Sequence, residues 1–145
     1  IVTNETKSFE IGKGVVYRDG KDALILTTGI TLNLAIKAAD ILIRQGIDSS
    51  IIHCHTLKPI DSTTILDMVS NIPIIVTVEE HSVIGGLGTA VAELIAESNF
   101  SPSKKFKRIG IPDTFPDQYG SQSSLMEKYS ITADGIVNVI NNMYK

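Results

Sequence analysis

Several things are missing from this sequence, and each absence narrows its function. Cys54 is the single cysteine, so no intrachain disulfide can form and a reducing compartment is permitted. Positive charge is not in excess: 13 Lys and Arg stand against 16 Asp and Glu, a net charge of −3. Nucleic-acid and anionic-membrane partners call for a basic patch, so neither is expected. The one dense basic run, Lys104-Lys105-Phe106-Lys107-Arg108, reads as the solvated start of a strand. No stretch reaches the roughly 18 apolar residues needed to span a bilayer. The first residues, Ile-Val-Thr-Asn-Glu-Thr-Lys, lack the basic-then-apolar pattern of a signal peptide. A soluble, cytoplasmic protein is the expectation. Ile1 stands where an initiator methionine would, so a fragment of a longer chain is expected too.

What is present is ordinary for a globular domain. The 145 residues are 43% hydrophobic and 20% charged, enough for one domain with one unstapled core. Phe9 to Tyr17 is β-prone, although Gly12 and Gly14 weaken it. Asp19-Gly20 lies between Val15-Val16-Tyr17 and Ala23-Leu24-Ile25-Leu26, a strong hairpin signal. The first two strands are therefore expected to pair antiparallel. Ala23–Thr28 is apolar without alternation, as suits a strand covered on both faces. Thr31 can cap a helix carrying Leu32, Ala35, Ala38, Ala39 and Leu42 on one face, with Arg44 in its last turn and Gly46 at its end.

The same rhythm continues. Ser50–Cys54 reads as a strand. Pro59 breaks the chain, Asp61 can cap, and Ile65, Leu66 and Val69 mark a short helix. Pro73–Val78 reads as a buried strand. A helix from about Leu87 to Glu97 presents Leu87, Val91, Leu94 and Ile95, and Phe106–Ile111 is a last strand. Two prolines, Pro112 and Pro116, argue against further sheet. Thr132 caps a final helix with Ala133, Ile136, Val137, Ile140 and Met143 facing inward. Strand alternating with helix predicts βαβ units and a mostly parallel sheet with one antiparallel edge strand: a three-layer α/β domain. There is no internal repeat and no linker.

Candidate chemistry is sparse. Val78-Glu79-Glu80-His81-Ser82-Val83-Ile84-Gly85-Gly86-Leu87-Gly88 runs from a strand end into a helix, where open α/β sheets bind ligands. Gly85, Gly86 and Gly88 permit close backbone approach, and free amides at a helix start attract anions. No Lys-Ser/Thr follows, so this is not a Walker loop, nor is it a full G-x-G-x-x-G. Packing of helix on strand, or on a neighbouring domain, is the favoured reading. Glu79, Glu80 and His81 could form an acid/base set, with Glu79 and His81 on one side of the strand and Glu80 on the other. No nucleophile accompanies them. His53-Cys54-His55 resembles a metal cluster, but strand alternation separates Cys54 from the histidines, and zinc requires four ligands or three plus water. Ser121, Ser123 and Ser124 read as turn and cap residues. No self-sufficient catalytic set emerges.

Taken in order, four stretches resemble the C-terminal domain shared by transketolases, deoxyxylulose-phosphate synthases and the β subunits of 2-oxoacid dehydrogenases. Phe9-Glu10-Ile11-Gly12-Lys13-Gly14 and Gly20 to Gly29 resemble the opening hairpin of that family. His55-Thr56-Leu57-Lys58-Pro59-Ile60-Asp61 resembles its Lys-Pro-[Leu/Ile]-Asp motif. Thr77-Val78-Glu79-Glu80-His81-Ser82 with Gly85-Gly86-Leu87-Gly88 resembles its Glu-Glu and glycine motif. Gly110-Ile111-Pro112-Asp113, Tyr119-Gly120-Ser121-Gln122 and Thr132 to Ile136 resemble its tail.

The resemblance implies a mixed five-stranded sheet with flanking helices. It further implies a parent enzyme that uses thiamine diphosphate and Mg²⁺ to move a two-carbon ketol unit between sugar phosphates, as in the pentose phosphate pathway. A transketolase whose halves are separate polypeptides is the favoured subfamily, and 1-deoxy-D-xylulose-5-phosphate synthase is the alternative. The pyrimidine-binding and pyrophosphate-binding domains that hold the cofactor are not represented in this stretch, so no catalytic or cofactor-binding residue carries over. The implied role is assembly into a homodimer or heterotetramer, with Glu79, Glu80, His81, Gly85, Gly86 and Gly88 at an interdomain face. Two rival readings stand beside it: a stand-alone anion- or nucleotide-binding regulatory module using the glycine loop, and a pure interaction domain with an exposed apolar patch.

Overall fold

The computed structural model describes residues 9–117 and 119–145. Five strands form one sheet: β1 (Val15–Arg18), β2 (Ala23–Thr27), β3 (Ser49–His53), β4 (Ile74–Ser82) and β5 (Lys105–Ile111). Five helices accompany it: α1 (Leu32–Arg44), α2 (Ser62–Asn71), α3 (Leu87–Glu97), α4 (Gln122–Lys128) and α5 (Ala133–Tyr144). The strand order is β1-β3-β2-β4-β5. β1 runs antiparallel to β3, and the other neighbours are parallel. This is the mixed, three-layer α/β architecture expected.

Every residue of β2 is buried, and alternation sorts its side chains. Ala23 and Ile25 join Ile51, Ile74, Val76 and Val78 in a core closed by α1 and α5. Leu24 and Leu26 join Ile52, Cys54 and Ile75 in a second core closed by Ile65 and Val69 of α2 and by Leu87 and Val91 of α3. The buried face of α1 is the predicted set Leu32, Ala35, Ala38, Ala39 and Leu42. Its three alanines hold the helix close to the sheet, where bulkier side chains would force it away.

One expectation fails. β1 and β2 are not a hairpin, because β3 lies between them. The Asp19-Gly20 segment is a wider connection that must step over one strand, about 10 Å. It is docked on the start of β3. The amide and carbonyl of Gly20 both bond the hydroxyl of Ser50 at 2.7 Å. Lys21 and Asp22 donate their amides to the Asp48 carbonyl, and the Asp22 carboxylate accepts from the Asp48 amide at 2.8 Å. A β-carbon at Gly20 would lie 2.5 Å from the backbone of Ser49, so the glycine serves close approach to β3 rather than a tight two-residue turn. The antiparallel strand is at the edge as expected, with a different partner.

Smaller differences follow from local chemistry. Thr31 occupies the position before α1, but its hydroxyl makes no cap bond to the helix. A short 3-10 turn, Gly29–Thr31, precedes α1 and turns that hydroxyl to the carbonyls of Val78 (2.9 Å) and Thr28 (2.8 Å). Asp61 caps α2 as expected, accepting from the Thr64 amide at 3.2 Å. Thr132 caps α5 through the Gly135 amide at 3.0 Å. Ser121, expected to be a turn or cap residue, caps the short helix α4 through the Ser124 amide.

Candidate interdomain site at the strand ends

β4 continues three residues past its buried stretch, which ends at Glu79, and so carries Glu80 and His81 to the C-terminal edge of the sheet. Glu79 is 1% exposed. Its carboxylate is accepted into the start of α3, where the amides of Leu87 and Gly88 each donate to it at 2.8 Å. The first amides of a helix have no partner within the helix and carry its positive dipole end, so a carboxylate there is stabilised by both effects. The anion at this helix start is the chain's own.

The glycine loop is shaped around that carboxylate. Gly85 has φ +77, a left-handed conformation that costs glycine little. A β-carbon at Gly86 would overlap Glu79 Oε2 and lie 3.1 Å from His81 Nδ1, so Glu79 and His81 do share a side of the strand. Ser82 Oγ takes the Ile84 amide at 3.2 Å, and Thr89 Oγ1 takes the Gly85 amide at 3.0 Å. Thr89 in turn donates to the Val83 carbonyl at 3.0 Å, which also receives Arg108 Nη1 at 2.6 Å.

Glu80 and His81 are exposed. Glu80 turns to the other side of the strand, where Gln122 Nε2 of α4 donates to it at 2.7 Å. His81 Nδ1 donates to the carbonyl of its neighbour Ser82 at 2.8 Å. The three residues therefore do not converge as an acid/base set. Sequence reasoning did not single out Thr89, Arg108 or Gln122 for this loop. The Ser121 cap that orients Gln122 was the one signal available.

His53, Cys54 and His55 diverge as well. The Cys54 thiol is buried among the residues facing α2 and α3, and burial, with the charge of Asp61, pushes its pKa up to about 12. His53 Nδ1 lies 3.2 Å from Thr27 Oγ1. Burial, with the neighbouring His55, lowers its pKa from the ordinary value. His55 stacks on the Phe9 ring, with centroids 4.0 Å apart. Among the described residues, no three His, Cys, Asp or Glu side chains are grouped to hold a metal ion.

Asp61 has a second task besides capping. Its carboxylate also accepts the Gly14 amide at 3.0 Å and the Thr64 hydroxyl at 2.8 Å. Burial works to raise its pKa. The bonds from Gly14 and Thr64 and the charge of Lys13 work against burial, and the result lies below the ordinary carboxylate value.

All the parallel strands end at one edge of the sheet, and large apolar side chains collect there uncovered. Ile30 follows β2, Leu57 follows β3, Ile84 follows β4 and Phe115 follows β5, with exposures from 37% to 95%. Phe9, held by His55, adds to the same edge. Large exposed apolar patches are a common mark of interaction surfaces.

Fold and topology together define a three-layer α/β domain with one mixed five-stranded sheet. The family described as "Transketolase, C-terminal domain" matches residues 12–136, and the chain belongs to that family. It is 41% identical over 136 residues to a putative transketolase C-terminal section of Methanocaldococcus jannaschii, covering 94% of this chain and 41% of that protein. It is 37% identical over 142 residues to a 6-deoxy-6-sulfo-D-fructose transketolase subunit of a Clostridium species, covering 98% of this chain and 43% of the other. A 1-deoxy-D-xylulose-5-phosphate synthase of Syntrophotalea carbinolica is 35% identical over 139 residues, of which this chain spans 22%. Among solved structures, a split-gene transketolase in an inactive β4 tetramer superposes with TM-score 0.88 at 35% identity, covering 98% of this chain and 45% of that one. The chain thus spans about two fifths of the split-type relatives and about a fifth of the synthase.

Proposed function

We propose that this chain is the assembly domain of a thiamine-diphosphate-dependent enzyme that transfers a two-carbon ketol unit between sugar phosphates. The apolar rim at the C-terminal edge of the sheet carries the reading. In it, Glu79, Glu80, His81, Gly85, Gly86 and Gly88 form the interdomain face that packs on the pyrimidine-binding domain, whether that domain lies on the same polypeptide or another. Glu79 and the glycines fix the loop, while His81 and Ile84 meet the partner. The assembled enzyme is a homodimer or a heterotetramer of the two halves, working in the cytoplasm.

The described residues do not suit thiamine diphosphate or its metal. The Leu87 and Gly88 amides that could hold a phosphate are already bonded to Glu79, and no acidic or imidazole group of three is assembled. No catalytic step is therefore assigned to this chain. When bound elsewhere in the parent, the cofactor supplies the carbanion chemistry, and protein supplies placement and electrostatics.

The test uses the full-length parent with any separately encoded partner, thiamine diphosphate and Mg²⁺. Ketol transfer from a ketose phosphate to an aldose phosphate is the expected reaction. The 41% identity to a putative transketolase C-terminal section, against 35% and 37% to two synthases, supports that choice. Condensation of pyruvate with glyceraldehyde 3-phosphate, with release of carbon dioxide, would reassign the parent to the synthases. Neither reaction from a folded, cofactor-loaded protein would remove the proposed activity.

A further inference from the structure

The two edges of the sheet differ. β1 has four residues, and its register slips between Val16 and Arg18, features that blunt an edge against pairing. β5 has seven residues and, among the described residues, pairs only with β4. The Lys105 amide donates inward to the Pro73 carbonyl at 2.9 Å. In a parallel ladder alternate residues bond to the same side, so Lys107 and Ile109 also bond inward. Phe106, Arg108 and Gly110 then turn both N–H and C=O outward. Among the described residues no other segment takes those outward groups.

Open cavities flank the strand on both faces. One of about 460 Å³, on the α3 side, is lined by Val83, Phe106, Arg108, Gly110 and Pro112 together with Lys107. The other, of about 370 Å³, lies against Val139, Asn142 and Met143 of α5. The charge here is unlike that of the rest of the chain. Lys105, Lys107 and Arg108 are exposed, and none has a carboxylate partner among the described residues, whose ion pairs are Arg18–Asp40 and Lys128–Asp117. Lysines on an edge commonly oppose strand pairing. Here Lys105 Nζ is drawn to the Met143 carbonyl at 2.5 Å and Arg108 Nη1 to the Val83 carbonyl at 2.6 Å. Both side chains thus lie over flanking elements and leave the amide row between them uncovered.

We propose that the outer edge of β5 accepts an extended peptide segment by strand addition, one in which carboxylates alternate with apolar side chains. Main-chain bonds to Phe106, Arg108 and Gly110 supply the pairing, and alternate side chains fall into the two cavities. Alternation sends apolar groups to Val83, Phe106 and Pro112 on the α3 face and carboxylates to Lys105 and Lys107 on the α5 face. This surface lies on the outer side of β5 and does not depend on the role proposed for the Glu79 loop.

The probe is a fluorescent, end-blocked Val-Glu-Val-Glu-Val-Glu-Val peptide, titrated into the full-length parent protein by anisotropy, with hydrogen exchange read by mass spectrometry. Saturable binding is expected, with new protection confined to residues 105–111. Lys107→Glu should weaken it about tenfold, as should N-methylation of alternate peptide amides. Equal binding of the N-methylated peptide, equal binding of a Val-Lys counterpart, protection elsewhere, or no saturable binding would each overturn the proposal. Tighter binding of an oligothymidylate at the same salt would overturn it in favour of a nucleic-acid surface.

Discussion

Glu79 and Gly86 fit only as a pair: a β-carbon at Gly86 would occupy the place of Glu79 Oε2, the atom that accepts the Leu87 amide at 2.8 Å. The carboxylate and the helix start it holds depend on the absence of a side chain one residue before the helix.

Gly86→Ala should therefore destabilise the protein by about 1–3 kcal/mol through overpacking. Glu79→Ala should cost about 3 kcal/mol, because two buried amides lose a charged acceptor. In urea unfolding the two costs should not add, since removing the Glu79 carboxylate makes room for the alanine. Strict additivity would show that the glycine serves something else.

Asp61 should make stability sensitive to acid. Its pKa is below the ordinary value in the folded chain, so its contribution is fully present above the unfolded pKa of about 4 and is lost as pH falls through the folded value. Asp61→Asn should lower stability at neutral pH and flatten the decline below about pH 4. The check is urea midpoints from pH 2 to 7 for both proteins.

Cys54, with its pKa pushed up to about 12 by burial and then by Asp61, should be inert in the native protein. At pH 8 a disulfide reagent should modify it at least about a hundredfold more slowly than in denaturant, because the thiolate is the reacting form. Rapid native labelling would mean that the core facing α2 opens readily.

Ala38 is fully buried on α1, against the sheet and α5. Ala38→Leu should cost about 1–3 kcal/mol in thermal or urea unfolding, since a close-packed face cannot take three more carbons without moving the helix.

His81→Ala should leave the fold intact, because the exposed ring bonds only the Ser82 carbonyl beside it. Association of the parent assembly should weaken about tenfold by sedimentation, with turnover of the assembled fraction unchanged. Lost turnover with assembly intact would move His81 from the interface to the chemistry.

The elements were legible where one local signal dominated. The face Leu32-Ala35-Ala38-Ala39-Leu42 is periodic at 3.6, and Asp61 and Thr132 cap as their positions suggest. The pairing of β1 was not legible. Asp19-Gly20 is a sound turn signal, but what decides the partner is that β3, 30 residues away, docks on Gly20 through Ser50. Strand order is a property of long-range burial, and local turn chemistry cannot report it. The site was half legible. Alternation correctly paired Glu79 with His81 on one side. That the carboxylate turns inward to the amides of Leu87 and Gly88 is a tertiary fact, and so is the reach of Gln122 from α4 to Glu80 across 42 residues of sequence.

The bond from Gly14 to Asp61 has a kinetic meaning. β1 is four half-buried residues with one strand neighbour, and the chain leading into it is tied down by a carboxylate 47 positions away at the start of α2. The tie cannot form until α2 and β3 are in place. β1 should therefore join the sheet late in folding and open early in the native state. Its amides should exchange with solvent through local openings well below the global unfolding free energy, while those of β2 and β4 wait for the whole domain to come apart.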